Sequence, residues 1–154
     1  MSDLALRPLR WWDIEALLPL EQDLFPDLPW TAPGFWSELA GVPETRWYVV
    51  AEDDSGLVGY AGLFATAHEA DVQTVAVRRD RQGQGVGDLL VQALLDEAAR
   101  RRVGRVMLEV RHDNAAAQRL YARHGFTSMG LRRGYYGPGL DAVVMERHLS
   151  GVTS

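Results

Sequence analysis

Residues 75–88 constrain the fold more than any other part of the sequence, because they pass from a short apolar strand into a helix through a glycine-rich turn. Val75-Ala76-Val77 is followed by an arginine-rich stretch and then by Gly83, Gly85 and Gly87 at alternating positions. A helix-patterned run and a second apolar strand come next. Two strands joined by a crossover helix in one sheet run parallel, so we expect a parallel strand pair in this fold.

Hydrophobic periodicity predicts the remaining elements and the fold class. Apolar residues at steps of three and four indicate helices, the clearest at 86–102, with Gly104 expected at its C′ position. Runs rich in Val, Tyr and Phe around the turn at 53–56 indicate antiparallel strands. The predicted fold is α/β, with a mixed, mostly antiparallel twisted sheet of about seven strands flanked by about four helices. The predicted strands are 4–10, 46–52, 57–66, 71–77, 105–111, 126–132 and 142–148, and the predicted helices are 11–24, 31–40, 86–102 and 115–124.

Bulk properties exclude several classes of protein. A chain of 154 residues with 47% apolar residues predicts one domain at 1–150, followed by a disordered tail at 151–154. No run approaches the ~18 apolar residues of a membrane span, so we expect no membrane association and a cytoplasmic location. The net charge of −5 argues against a nucleic-acid partner. The sequence has no cysteine, which excludes disulfides, thiolate metal ligands and cysteine nucleophiles.

The glycine segment predicts an anion-binding loop. Glycines let successive backbone N–H groups point into one concavity, and the helix N-terminus adds about half a positive charge there. A nicotinamide-binding turn would need G-x-G-x-x-G directly after the strand. Here Asp88 occupies the sixth position, and five residues separate Val77 from Gly83. The segment therefore favours a different phosphate-bearing cofactor.

The motif Gln82-Gly83-Gln84-Gly85-Val86-Gly87 has the form Q-x-x-G-x-G, and with the runs at 114–117 and 120–126 it resembles the GNAT acetyltransferase family over nearly the whole chain. Within that family, the chain is similar to the ribosomal-protein-alanine N-acetyltransferase (RimI) group. The segments that carry this closer similarity are 29–31, 108–111, Asn114, 132–136 and 141–145. The resemblance implies the GNAT fold and the use of acetyl-coenzyme A as cosubstrate, with no metal.

The resemblance also implies the cofactor-binding residues. The backbone of Val75, Ala76 and Val77 would pair with the pantetheine arm as an added strand does. Asn114 would contact the cofactor, and it also fits a helix cap. One departure from the family is Asp88, a carboxylate beside the phosphates, whose charge we expect Arg78, Arg79 and Arg81 to offset. The residues of the pyrophosphate loop would be Gln82, Gly83, Gln84, Gly85, Val86, Gly87 and Asp88.

For catalysis, the resemblance implies that Tyr121 is the general acid that protonates the leaving thiolate. It implies that Glu109 is the general base that deprotonates the amine through a water molecule. Alternatively, Tyr121 is a core aromatic residue, and Glu109 forms an ion pair with Arg111, which lies two residues on along the same strand face. Trp30, Tyr135 and Tyr136 would flank the peptide groove, and the four histidines show no metal-ligand spacing.

The substrate follows from amine basicity. An α-amine has a pKa of about 7.7–8.0 and lysine of ~10.4, so at pH 7 roughly a tenth of α-amines are neutral, against well under a thousandth of lysines. A carboxylate base therefore suits the N-terminus of a protein, and the similarity to the group suggests a small-subunit ribosomal protein that begins with alanine. The alternatives are a lysine or small-molecule amine as acceptor, and a non-catalytic coenzyme A-binding module. We expect a monomer or a weak dimer.

Overall fold

The computed structural model describes residues 4–26 and 29–149 and contains seven strands and four α-helices in that part of the chain. The predicted tail at 151–154 lies outside the described residues. Short 3-10 turns at Trp11–Asp13 and Arg79–Arg81 precede α1 and the glycine loop. The elements are β1 Ala5–Pro8, α1 Ile14–Leu24, α2 Ala32–Leu39, β2 Arg46–Asp53, β3 Gly56–Ala65, β4 Glu69–Val77, α3 Val86–Arg100, β5 Arg105–Arg111, α4 Ala115–Arg123, β6 Thr127–Arg132 and β7 Ala142–His148.

The seven strands form one mixed sheet in the order β1-β2-β3-β4-β5-β7-β6. Only β4 and β5 run parallel among these pairs, and α3 is the crossover that joins them. The parallel pair predicted from the glycine segment and the antiparallel meander before it are both present. The fold class is therefore the predicted one.

Two apolar layers cover the two faces of the sheet. The buried residues of α3 pack with β2, β3 and β5 around Leu90, Leu94 and Val106, and Tyr121 of α4 belongs to the same cluster. On the opposite face, α1 and α2 cover a second cluster that includes Phe35 and Tyr60. Strand residues of the central sheet alternate between these clusters, as the period of two requires. Because apolar clusters cover both faces of the sheet, a ligand site is expected where two strands separate.

The sheet opens between β4 and β5. These strands pair over only three positions, Glu69 with Arg105, Ala70 with Val106 and Asp71 with Met107. Beyond Asp71, β4 stays paired with β3 as far as Val77. The edge of β4 that faces away from β3 is thus released from the ladder over its last residues. Unpaired backbone N–H and C=O groups at such an edge need another partner.

The end of α3 differs from the prediction. The residue in the left-handed conformation is Arg102, with φ of 61°, and Gly104 is not among the residues with positive φ. Arg102 N–H donates to Ala99 O and Val103 N–H donates to Ala98 O, at 3.0 and 3.2 Å. This is a Schellman ending, and packing of Val103 against the core fixes it two residues earlier than glycine content suggests.

None of the described helices is long and apolar enough to cross a membrane.

Candidate active site

The glycine loop forms a concave backbone surface at the start of α3. Gly83 and Gly85 have φ of 76° and 88°, a region that L side chains rarely adopt, and a Cβ at either position would meet open space. Gly85 is the N-cap residue of α3 and supplies no side-chain cap. The first-turn N–H groups of α3 have no intrahelical partners. The loop is therefore shaped to bind an anion through backbone donors at a helix N-terminus.

The loop forms one wall of a cavity of about 630 Å³, which we call the loop cavity. Val75, Ala76 and Val77 form a second wall, and α4 forms the third. The side-chain amide of Gln82 donates to Val77 O at 3.1 Å and so fastens the loop to the end of β4. Among the predicted cofactor-binding residues, Gln84 and Val86 do not line this cavity. The side-chain amide of Gln84 donates to Asp80 O, and Val86 is buried in the core.

The arginines before the loop are arranged differently from our expectation. We expected all three to offset Asp88 at the phosphates, but each is held by an acidic side chain away from it, and only Arg79 lines the loop cavity. The pairs of Arg79 and Arg81 brace the turn against α1 and the β2–β3 hairpin, and the pair of Arg78 lies within the turn, so most of the arginine charge is already matched. The pairs are Arg78 with Asp80, Arg79 with Asp23, and Arg81 with Asp53.

Asp88 is instead neutralised from α4. Arg123 Nη2 donates to its Oδ2 at 3.2 Å, and His124 Nε2 lies 2.8 Å from its Oδ1. Burial acts to raise the pKa of Asp88, but the hydrogen bonds from Arg123 and His124 outweigh it and hold this pKa below its usual range. The carboxylate thus joins the start of α3 to the end of α4 and does not stand as a bare negative charge beside the loop.

This arrangement predicts a double-mutant result for cofactor binding. For acetyl-coenzyme A, the cosubstrate that the sequence resemblance implies, we expect Asp88→Asn to leave the KM within about twofold. We expect Arg123→Met to raise it about threefold by exposing the Asp88 charge, in the range of exposed ion pairs. In the double variant, the KM returns to that of Asp88→Asn. A double variant as weak as Arg123→Met would show that Arg123 itself touches the cofactor, and steady-state kinetics distinguishes the two.

Asn114 and Tyr121 lie where the loop cavity meets a second, central cavity of about 540 Å³. Asn114 caps α4, since its side-chain oxygen accepts from Ala117 N–H at 3.0 Å. Asn114 therefore both caps α4 and lines the two cavities. The side-chain NH₂ of Asn114 keeps its donors for a ligand.

Tyr121 is 7% exposed, and its ring packs edge-to-face against Phe126 with centroids 5.9 Å apart. No hydrogen-bond partner for its hydroxyl is found among the described residues. Burial, followed by the nearby Tyr136, raises the pKa of Tyr121 above its ordinary value. A phenol that stays protonated and lines both cavities can act as a proton donor there.

Glu109 faces the central cavity from β5. The strand alternates, so that Val106, Leu108 and Val110 are buried and Glu109 points with Met107 and Arg111 to the more open face. The ion pair found for Glu109 is with Arg132, at 3.5 Å, whereas Arg111 donates Nε and Nη2 to Asp113.

The predicted groove residues occupy two different places. Trp30 lines the central cavity and packs against Phe35 at 5.2 Å, so it is both a core and a cavity residue. Tyr136 lines the central cavity and also a third, acidic cavity of about 510 Å³. Tyr135 lines only the acidic cavity of these two and is 50% exposed. Trp30 and Tyr136 therefore stand beside Glu109 in the central cavity.

Sequence reasoning missed Glu21, which is 1% exposed and lines the central cavity. It accepts from Tyr60 Oη and from Trp30 N–H, at 2.5 and 2.9 Å, and so fixes the chain entering α2. Glu21 follows the buried Leu17 by four residues and so lies on the core face of α1. This spacing could have predicted its burial from the sequence.

The described residues hold no group of three or more His, Cys, Asp or Glu side chains that could hold a metal ion. The cavities instead offer three separate elements: backbone donors at a helix N-terminus, an unpaired strand edge, and an acid and a carboxylate about the central cavity. This set suits a long phosphate-bearing cofactor on one side and an amine on the other.

Comparison with known proteins agrees with this geometry. A family model described as the acetyltransferase (GNAT) family matches residues 8–126. N-alpha-acetyltransferase RimI of Mycobacterium tuberculosis is 43% identical over 141 residues, which are 88% of this chain and 86% of that protein.

Solved structures give the same result. The crystal structure of the ribosomal-protein-S18-alanine N-acetyltransferase from Escherichia coli superposes with a TM-score of 0.85 at 30% identity, covering 96% of this chain and 95% of that one. The structure of Ard1 from Thermoplasma volcanium has a TM-score of 0.86 at 26% identity, covering 95% and 97%.

Proposed function

Because the chain belongs to the GNAT acetyltransferase family, and is thus an acetyl-coenzyme A-dependent N-acetyltransferase, we propose that it acetylates the N-terminal α-amine of a protein. The protein we propose is a small-subunit ribosomal protein that begins with alanine. The observation that carries the proposal is the meeting of the loop cavity and the central cavity at Tyr121, with Glu109 in the wall of the central one.

The residues of the loop cavity fit acetyl-coenzyme A. The concave backbone at Gly83 and Gly85 is open where side chains would otherwise stand, which suits a pyrophosphate. The released edge of β4 offers backbone groups to the amides of a pantetheine arm. Because Asp88 is paired with Arg123, its charge does not oppose this fit. When bound, the cofactor supplies an acetyl group activated as a thioester.

The reaction we propose is direct transfer within a ternary complex. Glu109 accepts a proton from the α-ammonium through water, and the neutral amine forms the new C–N bond. Tyr121 donates its proton to the sulfur as the C–S bond breaks. The new amide nitrogen releases its excess proton to solvent, from which Tyr121 is protonated again. Glu109 on β5 and Tyr121 on α4 both line the central cavity, which supports these roles. The lack of cysteine agrees with a path that has no cysteine acyl-enzyme.

Two relatives support the proposed acceptor. The Mycobacterium tuberculosis relative is named as an N-alpha-acetyltransferase, and the Escherichia coli structure is titled for the alanine of ribosomal protein S18. The basicity argument favours the same acceptor, since a larger fraction of an α-amine than of lysine is already neutral at pH 7.

We further propose a cytoplasmic location, where such an acceptor is made, and a monomer or weak dimer as the working form.

A pair of peptides tests the proposal. Both begin with alanine and contain one internal lysine, and one carries a blocked N-terminus. At pH 7, we expect acetylation of the free peptide at least tenfold faster, because its amine has the larger neutral fraction. Mass spectrometry locates the acetyl group. Equal modification of lysine in both peptides would indicate a lysine acetyltransferase, and cofactor binding without any turnover would indicate a binding module.

A further inference from the structure

Arg132 closes a ring of contacts around Glu109. Its Nη1 lies 3.5 Å from Glu109 Oε1, and its guanidinium stands over the ring of Tyr135, 5.6 Å from the centroid. Tyr135 packs edge-to-face on Tyr136 at 4.9 Å, and Tyr136 Oη donates to the backbone carbonyl of Glu109 at 3.1 Å. The end of β6 and the loop after it are thus fastened to the middle of β5.

This ring of contacts separates the central cavity from the acidic cavity, and the charged residues that line the two cavities differ. Glu109 and Tyr136 line both the central and the acidic cavity, whereas Arg132 lines only the acidic one. The acidic cavity also contains Asp71, and Arg132 acts to lower the pKa of Asp71, against burial, the largest cause, and Glu69, which raise it. Arg132 therefore lies between two carboxylates, Glu109 on one side and Asp71 on the other.

The contact between Arg132 and Glu109 is of a kind that opens easily. The Arg132 side chain is 56% exposed, and its Nη1 lies 3.5 Å from Glu109 Oε1, longer than a charge-assisted hydrogen bond. Exposed ion pairs contribute little to stability. A cation that enters the central cavity can thus replace Arg132 at small cost.

We infer that Arg132 is a placeholder cation. It pairs with the carboxylate of Glu109 while no acceptor is bound, and the incoming ammonium of the acceptor, with the water that relays its proton, displaces it. The displaced guanidinium moves toward Asp71, and its cation–π contact keeps it beside the aromatic side chain of Tyr135. Arg132 is thus a positioning residue whose competition sets the affinity for the acceptor amine. The inference rests on the proposed function, since it assigns the displacement to an α-ammonium.

The test compares Arg132→Met with Arg133→Met, a matched control. Arg133 is the adjacent exposed arginine, and no hydrogen bond or ion pair is found for it among the described residues. For a peptide with N-terminal alanine at low ionic strength, we expect Arg132→Met to lower the peptide KM about three- to tenfold with kcat within about twofold. Arg133→Met leaves both constants as in the wild type.

Salt separates displacement from a structural effect. In the wild type, one ion pair replaces another, whereas in Arg132→Met the peptide pairs with an unoccupied carboxylate. The gain in affinity therefore disappears near 1 M salt, where the Debye length falls to about 3 Å. Calorimetry of the peptide with enzyme and coenzyme A gives the same comparison without turnover.

If the KM for the peptide were unchanged or higher in Arg132→Met, or if it fell equally in both variants, the inference would be overturned. These failures would occur in an enzyme that still prefers the free N-terminus. Failure of the proposed function would show differently, as a wild type that does not distinguish free from blocked peptide.

Discussion

Tyr121→Phe should lower kcat about 10²-fold, at the lower end of general acid–base contributions, while the KM for acetyl-coenzyme A changes little. The substitution removes only the hydroxyl from a ring that packs against Phe126 at the meeting point of the two cavities. The packing of α4 is kept, so the loss falls on the step in which sulfur leaves without a proton donor.

Burial adds a pH criterion to this prediction. Because it raises the pKa of Tyr121 above that of an ordinary phenol, the hydroxyl remains protonated at and beyond ~10, where a free phenol titrates. We therefore expect no fall in wild-type kcat from this group below about pH 10. A falling limb near neutral pH that vanishes in Tyr121→Phe would contradict the environment described for the hydroxyl.

Tyr48→Phe is the matched control for removal of a buried phenol hydroxyl. Tyr48 is 3% exposed and donates to Glu38 at 2.6 Å, and it lines none of the three cavities. We expect its loss to lower thermal stability and to leave kcat within about twofold. Near-wild-type turnover in Tyr121→Phe would return Tyr121 to the role of a core aromatic residue.

The local parts of this fold were predictable from sequence because short-range rules determine them. Thr31 caps α2 by accepting from Gly34 N–H, and Asn114 caps α4, as cap-residue preferences predict. The crossover through α3 follows from the order of strand, glycine loop and helix. The boundaries moved by a few residues, as at β4, which begins at Glu69 and not at 71, because ladder partners decide where a strand starts.

The opening between β4 and β5 could not be predicted in this way. Each strand has an ordinary apolar pattern, and nothing local shows that their pairing stops after Asp71 and Met107. The partners of charged groups were also hidden. Asp88 is paired with residues 35 and 36 positions away, and Glu109 with Arg132 on a strand that is not its neighbour in the sheet. Such pairs depend on how helices and strands are placed in space, so sequence spacing favoured the nearby arginines.

Glu109→Gln should lower kcat/KM about 10²-fold at pH 7 and move the pH optimum upward. Glutamine keeps the size of the side chain but cannot accept the proton of the ammonium. The variant must then use amine that is already neutral, roughly a tenth of the total at pH 7 and nearly all of it at pH 9. The deficit of the variant relative to the wild type therefore shrinks by up to about tenfold between pH 7 and pH 9, which pH profiles measured with the free-N-terminal peptide will show.

Two comparisons separate a proton acceptor from a structural ion pair at Glu109. Glu146 on β7 is the matched control, because its side chain is 18% exposed against 24% for Glu109 and it pairs with Arg105 at 3.2 Å, away from the three cavities. Glu146→Gln should keep the wild-type pH profile. If Glu109 served only its ion pair, Arg132→Met would reproduce the loss seen in Glu109→Gln. A proton acceptor requires the opposite result, since removing Arg132 leaves the carboxylate in place and open to the amine.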